Sequence, residues 1–255
     1  MNDQEKPDTS RRGFVQLLAG GAVAATAASA LGSLAPAGGA ESTAKQSRIQ
    51  YGMLIDTRRC IGCHSCSVAC KAEFDVPLGV NKSWVEYTEK GTFPNVNRHF
   101  LPRLCNHCSE PQCVAVCPTG ATYKRPQDGI VVVDSGLCIG CKYCIQACPY
   151  DARFLNPVTN FADKCDFCIH RVSKGLLPSC VNSCIGGARI FGDVNDPESE
   201  ISRQIAANAV TVLRPGKGTE PNVYYIEADI TEQAENSDGS YRVRVTTHRS
   251  IKERR

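Results

Sequence analysis

In "CIGCKYCIQAC" four cysteines, Cys138, Cys141, Cys144 and Cys148, fall within eleven residues. The same spacing, C-x2-C-x2-C-x3-C, recurs in "CIGCHSCSVAC" at Cys60, Cys63, Cys66 and Cys70. Two variants complete the set. In "CNHCSEPQCVAVC" (Cys105, Cys108, Cys113, Cys117) the middle gap widens to four residues, and in "CDFCIHRVSKGLLPSCVNSC" (Cys165, Cys168, Cys180, Cys184) it widens to eleven. All sixteen cysteines of the 255-residue chain lie between Cys60 and Cys184, with none in the first 59 or last 71 residues. Whatever these thiols hold has to organise the fold.

Three thiolates on one short loop can each reach a different iron of a compact cubane cluster. A fourth, three residues further on, is expected to begin a helix leading away and to reach a neighbouring cluster. One group then supplies three ligands to one cluster and one to another, so groups have to work in pairs. Pro118 and Pro149 directly follow Cys117 and Cys148, whereas Lys71 and Ile185 hold the equivalent places in the first and fourth groups. Proline removes a backbone N–H that could bond to sulfur, which sets the second and third groups apart. A zinc- or disulfide-rich binding protein is the alternative from another class. An even cysteine count suits an exported disulfide scaffold, but these repeats crowd their thiols too closely for independent bridges. Tetrahedral zinc sites use separated C-x2-C pairs, and only the fourth group resembles that arrangement.

The net charge of +3 is too small to argue for a nucleic-acid partner. Arg58, Arg59, Lys71, Lys142, Lys164 and Arg171 lie beside cysteines, where they can offset the charge of metal-bound thiolates. His64, His107 and His170 are expected to support the sulfurs from behind or to lie at the surface rather than to act as ligands, because each group already has a full set of cysteines. Tyr143, Tyr150, Phe154 and Phe167 are expected to pack over the clusters.

Residues 1–40 carry paired arginines, Arg11 and Arg12, then Phe14 and an Ala/Gly-rich apolar run. This is the form of a twin-arginine signal peptide, which exports proteins already folded with their cofactors. A transmembrane anchor is the alternative, but the Ala/Gly content makes a poor span. The expected location is periplasmic, with membrane association only through a partner. Strands are expected at "YGMLID", in a hairpin of "ATYKR" and "GIVVVD" around "PQDG", and at "ARIFGD", with short helices after each fourth cysteine. The segment 71–104, which contains Trp84, reads as a surface excursion. A helix-like run spans 199–213, and after Asp229 a polar, basic tail, 229–255, ends the chain. The fold expected for 49–228 is α+β, with two pseudo-symmetric ferredoxin-like lobes and inserted loops. Groups two and three build one lobe, and groups one and four the other. Little core is available without the clusters, so folding should depend on their insertion.

The order and gaps of the four groups resemble one family, the four-cluster iron–sulfur subunits of molybdopterin oxidoreductases of the dimethyl sulfoxide reductase superfamily. Within it, "YGMLIDTRRCIGC", "LPRLCNHC", "ACPYDARF", "ADKCDFC", "GGARIFGD" and "LRPGKGTEPNVYYIEAD" are most similar to the beta subunits of tetrathionate reductases. Nitrite-reductase-associated, polysulfide and thiosulfate reductase subunits come next. The resemblance implies four 4Fe-4S clusters and a crossed ligand set. Cys60, Cys63 and Cys66 would join Cys184; Cys165, Cys168 and Cys180 would join Cys70. Likewise Cys105, Cys108 and Cys113 would join Cys148, and Cys138, Cys141 and Cys144 would join Cys117. It further implies a non-catalytic subunit that passes electrons between an integral membrane quinol-oxidising subunit and a molybdopterin catalytic subunit.

Overall fold

The computed structural model describes residues 49–228. The expected signal peptide and basic tail lie outside the described residues. In chain order the elements are β1 (Tyr51–Asp56), α1 (Ser65–Phe74), β2 (Ser83–Thr92), β3 (Asn95–Leu104), α2 (Gln112–Ala115), β4 (Thr122–Lys124) and β5 (Val131–Val133). There follow α3 (Tyr143–Gln146), β6 (Arg153–Leu155), β7 (Ala162–Lys164), α4 (Ile169–Val172), α5 (Ser179–Asn182), β8 (Arg189–Asp193), α6 (Glu200–Ala207), β9 (Val210–Thr211) and β10 (Val223–Ile226).

The strand β1 is central to a four-stranded sheet of order β8-β1-β10-β9. It runs parallel to β10, with Met53 opposite Val223, and antiparallel to β8, with Leu54 opposite Ile190. Met53, Leu54 and Ile55 are fully buried. Both faces of β1 are therefore covered, which is why its sequence is a continuous apolar run rather than an alternating one. On one side Leu54, Ile190 and Ile226 pack under Ile201 of α6. That helix starts where the Ser199 hydroxyl accepts the Ser202 N–H at 3.2 Å, a serine N-cap followed by Glu200 in the first turn. On the other side Met53, Ile55, Val223 and Tyr225 join a larger core. Its other members include Val85, Leu104, Tyr150, Phe167 and the cysteines Cys66, Cys105, Cys165 and Cys180, so the sulfurs are part of the core rather than an addition to it.

Three antiparallel hairpins complete the fold: β2-β3, β4-β5 and β6-β7. The β4-β5 turn places Gly129 at φ +71°, where a side chain would be strained. In β6-β7, the Asn156 carboxamide accepts the N–H groups of Val158 and Thr159 at 3.0 and 3.3 Å, an Asx turn. The longest hairpin, β2-β3, occupies most of the segment read from sequence as a surface excursion. Its base is buried through Ser83, Val85, Arg103 and Leu104, while its tip around Phe93 stands in solvent.

The helices are not where the sequence reading put them. α2, α3 and α5 contain the third cysteine of their group (Cys113, Cys144, Cys180) and end before the fourth. α1 contains both Cys66 and Cys70 and runs four residues past the latter. After Cys117 and Cys184 the chain turns, with Gly120 N–H on the Cys117 carbonyl at 3.4 Å and Gly187 N–H on the Cys184 carbonyl at 3.0 Å. Gly120 and Gly187 both have positive φ, which reverses the chain into β4 and β8 instead of extending a helix.

Candidate iron–sulfur centres

Every cysteine is a free thiol, so no disulfide framework holds the described residues together. The thiols gather across groups rather than within them. Cys60, Cys63 and Cys66 line one pocket together with Cys184, and Cys105, Cys108 and Cys113 line a second with Cys148. The electrostatic neighbours of Cys70 include Cys180 and Cys168, and those of Cys165 include Cys70 and Cys180, with Cys105 further down. In each of these three sets the fourth cysteine of one group has left its own group for another. Cys117 is tied to its surroundings through Thr122, whose N–H donates to its Sγ at 3.4 Å. The fourth group is thereby split, with Cys184 apart from Cys165, Cys168 and Cys180, so a zinc site made of that group does not form. Among the described residues no three His, Cys, Asp or Glu side chains converge as they would on a single metal ion.

The local backbone explains how short loops present so many sulfurs. Gly62 and Gly140, in the two "CIGC" loops, have φ of +68° and +69°, and His64, Lys142, His107 and Cys168 are also left-handed. Alternating hand in successive residues turns N–H groups inward on one side of the loop, the arrangement that cradles anions. Backbone N–H groups reach sulfur at Ala162 to Cys138 (3.4 Å), Phe167 to Cys165 (3.4 Å) and Ala188 to Cys184 (3.2 Å).

Burial governs the thiols' acidity. It pushes Cys70, Cys108 and Cys168 up to about 12 and Cys165 well above the ordinary thiol range, with nearby cysteine sulfurs adding to the rise for Cys70, Cys108 and Cys165. Cys63, which is exposed, is lowered, chiefly by the Ser65 backbone N–H. Buried thiols with raised pKa become thiolates only when a cation arrives to neutralise them, so occupation of these sites is coupled to folding.

Two buried arginines were not anticipated from the sequence. Arg153, 1% exposed, donates from Nη2 to Cys113 Sγ at 3.1 Å and from Nη1 to Thr122 Oγ1 at 3.2 Å. Arg189, 3% exposed, donates from Nη2 to Cys66 Sγ at 3.4 Å and to Ser83 Oγ at 3.0 Å, and Nη1 lies 3.8 Å from Cys180 Sγ. A signal for them existed in "CPYDAR" and "CIGGAR", where each arginine stands five residues after a fourth cysteine.

The polar partners of the three histidine rings are groups other than sulfur. His64 Nε2 lies 3.0 Å from the Tyr87 hydroxyl, and His170 Nε2 lies 2.7 Å from a Glu73 carboxylate oxygen. His107 is fully buried, and its Nδ1 accepts the Val131 N–H at 3.1 Å. Burial first, then Lys164 and Arg153, holds its pKa well below the usual range, so the ring is neutral. Tyr150, Phe154 and Phe167 are buried as expected, but Tyr143 is 58% exposed and does not pack in the core. It opens α3 directly after the left-handed Lys142, which turns it outward.

Donor sets made only of thiols, inward N–H groups and buried guanidinium groups fit anionic iron–sulfur clusters. Two family models described as "4Fe-4S dicluster domain" match the chain, at residues 59–122 and 96–194. The B subunit of the tetrathionate reductase of Salmonella typhimurium is 48% identical over 229 residues, covering 87% of this chain and 90% of that protein. This chain belongs to the ferredoxin-type iron–sulfur subunits of the dimethyl sulfoxide reductase superfamily. Further members include the B subunit of the selenate reductase of Mesobacillus selenatarsenatis, 45% identical with 70% of this chain and 72% of that protein covered. The B subunit of the sulfite dehydrogenase of Allochromatium vinosum is 43% identical over 69% of this chain and 82% of its own. As a member of this family the chain is an iron–sulfur electron-transfer subunit of a multisubunit molybdenum oxidoreductase.

Proposed function

We propose that this chain holds four 4Fe-4S clusters in a row and carries electrons between a membrane quinol-oxidising subunit and a periplasmic molybdopterin catalytic subunit. In this reading it does no chemistry on substrate itself. The ligand sets are Cys60, Cys63, Cys66 and Cys184; Cys165, Cys168, Cys180 and Cys70; Cys105, Cys108, Cys113 and Cys148; and Cys138, Cys141, Cys144 and Cys117. Each cluster, when bound, takes up and releases one electron at a time.

The observation that carries the reading is the succession of the sets. Arg189 reaches Cys66 of the first set and Cys180 of the second. Cys165 of the second set has Cys105 of the third as an electrostatic neighbour. Arg153 reaches Cys113 of the third, faces Cys144 of the fourth, and bonds Thr122, which holds Cys117. The ends of this row are its open parts, since Cys63 and Cys141 are exposed while Cys165, Cys168, Cys180 and Cys105 are buried. Exposed ends suit exchange with two partners, and a buried middle keeps water from the inner sulfurs. The same succession supports two lobes, groups one and four in one and groups two and three in the other.

Tetrathionate is the favoured substrate of the catalytic partner, supported by the extent of the match to the tetrathionate reductase protein. The matches to selenate reductase and sulfite dehydrogenase subunits favour, as a second reading, the same role with another oxyanion. Polysulfide, thiosulfate or nitrite reduction belongs to that second reading. Among the described residues no helix is long and apolar enough to cross a membrane, and the twin-arginine segment supports export of the folded protein. The test is to purify the complex anaerobically, reduce it with a quinol, and add tetrathionate. If tetrathionate reoxidises the clusters of this chain, the assignment is supported; reoxidation by selenate or nitrite alone replaces the substrate. Failure of quinol to reduce these clusters overturns the chain's place in the sequence of transfer.

A further inference from the structure

Arg153 and Arg189 occupy matching places. Each is the first residue of a strand, β6 or β8, follows a buried alanine (Ala152 or Ala188), and stands five residues after the fourth cysteine of its group. Each guanidinium is taken almost wholly out of water. Among the described residues neither has a carboxylate as hydrogen-bond or ion-pair partner. Their polar partners are Thr122 and Cys113 for Arg153, and Ser83, Cys66, Cys180 and the Met53 thioether for Arg189.

A buried cation is tolerated when a counter-charge faces it. Neutral thiols and hydroxyls do not supply one, but cluster-bound thiolates do. By geometry each arginine stands between two sets: Arg189 reaches Cys66 of the first and Cys180 of the second, and Arg153 reaches Cys113 of the third and Thr122, whose N–H holds Cys117 of the fourth. The junction between the middle sets is built differently. The ammonium of Lys164 there donates to the carbonyls of Val131 and Cys165, and the neutral His107 ring stacks on Phe167.

We propose, building on the electron-transfer reading, that Arg189 and Arg153 are paired electrostatic bridges, each holding two adjacent clusters under one shared buried charge. Sulfur hydrogen bonds and net charge set cluster potentials. A charge shared by two clusters stabilises the extra electron on either one. It therefore raises both midpoint potentials together and leaves the gap between them nearly unchanged.

The test is a redox titration followed by EPR on the anaerobically purified complex carrying R189Q or R153Q. Each variant is expected to lower two of the four midpoint potentials and leave the other two in place, and the affected pairs should differ between variants. R189K and R153K, which keep the charge, should recover most of the shift. Variants with full iron content and four unchanged potentials, or with all four shifted equally, overturn the proposal. Where the glutamine variants lose their clusters, pulsed EPR on the unaltered complex labelled with ¹⁵N-arginine decides. A ¹⁵N coupling to the reduced clusters supports the bridge, and its absence overturns it. Failure of the electron-transfer reading itself would show earlier and differently, as an unaltered protein without iron.

Discussion

The rings of His107 and Phe167 stack with centroids 3.7 Å apart and planes 26° from parallel. Each comes from the middle of a C-x2-C loop, His107 between Cys105 and Cys108 and Phe167 between Cys165 and Cys168. The contact therefore joins the second and fourth cysteine groups at the centre of the fold, where Phe167 also packs edge-on against Phe191 at 5.3 Å.

Phe167→Leu keeps an apolar group at this junction but removes the stack. An aromatic pair contributes about 0.5–1.5 kcal/mol beyond its buried area, so the variant should lose on the order of 1 kcal/mol with all clusters present. Phe167→Ala should lose about 3–5 kcal/mol through the cavity it leaves. Denaturant unfolding under anaerobic conditions checks both. No loss in Phe167→Leu would mean that the stack itself contributes nothing.

Arg103 links the base of the β2-β3 hairpin to the cluster region. Its Nη1 donates to both Glu86 carboxylate oxygens at 2.8 and 3.0 Å, and its Nη2 donates to the Tyr150 carbonyl at 2.8 Å. Both side chains are largely buried. Removing one partner of a buried pair leaves the other uncompensated, so Arg103→Ala should destabilise by about 3–5 kcal/mol. Replacing both partners by apolar residues should cost less than Arg103→Ala alone, and unfolding curves of the two variants make the comparison.

The two "CIGC" glycines differ in what surrounds them. A Cβ on Gly140 would lie 2.5 Å from the Asn160 backbone carbonyl oxygen, whereas one on Gly62 would meet the Phe100 ring. A ring at the half-buried Phe100 can swing aside, but a backbone carbonyl cannot. Gly140→Ala should therefore lose the cluster proposed for Cys138, Cys141 and Cys144. Gly62→Ala should retain its own cluster with reduced stability. Iron content of the two variants tells them apart.

Crossed ligation predicts which distant cysteines behave alike. Cys70→Ser and Cys165→Ser, far apart in sequence, should abolish or convert the same EPR signal. Cys66→Ser, only four residues from Cys70, should affect a different one. Matching spectra for the Cys66 and Cys70 variants would mean that each group serves a single cluster.

Much of this was legible in the sequence where one kind of side chain dominated. The cysteine spacing announced the centres, and the apolar run of β1 and the turn between β4 and β5 announced those strands. The β2-β3 hairpin was not read, because Pro102 sits within β3 opposite Val85 and proline argues against a strand. A two-stranded ribbon has only edges, where proline is tolerated. Helices of four residues carry no periodic signal, so α2, α3 and α5 could not be placed from hydrophobicity. The arginines escaped notice because an arginine ordinarily marks a surface. Only the sulfurs facing them make their burial intelligible.

The most direct test of the account is the iron and acid-labile sulfide content of the anaerobically purified protein. Four cubane clusters require about sixteen irons and sixteen sulfides per chain. A result near those values, with absorption that bleaches on reduction, is what the crossed cysteine sets predict. Stoichiometric zinc, or iron without labile sulfide, would contradict it.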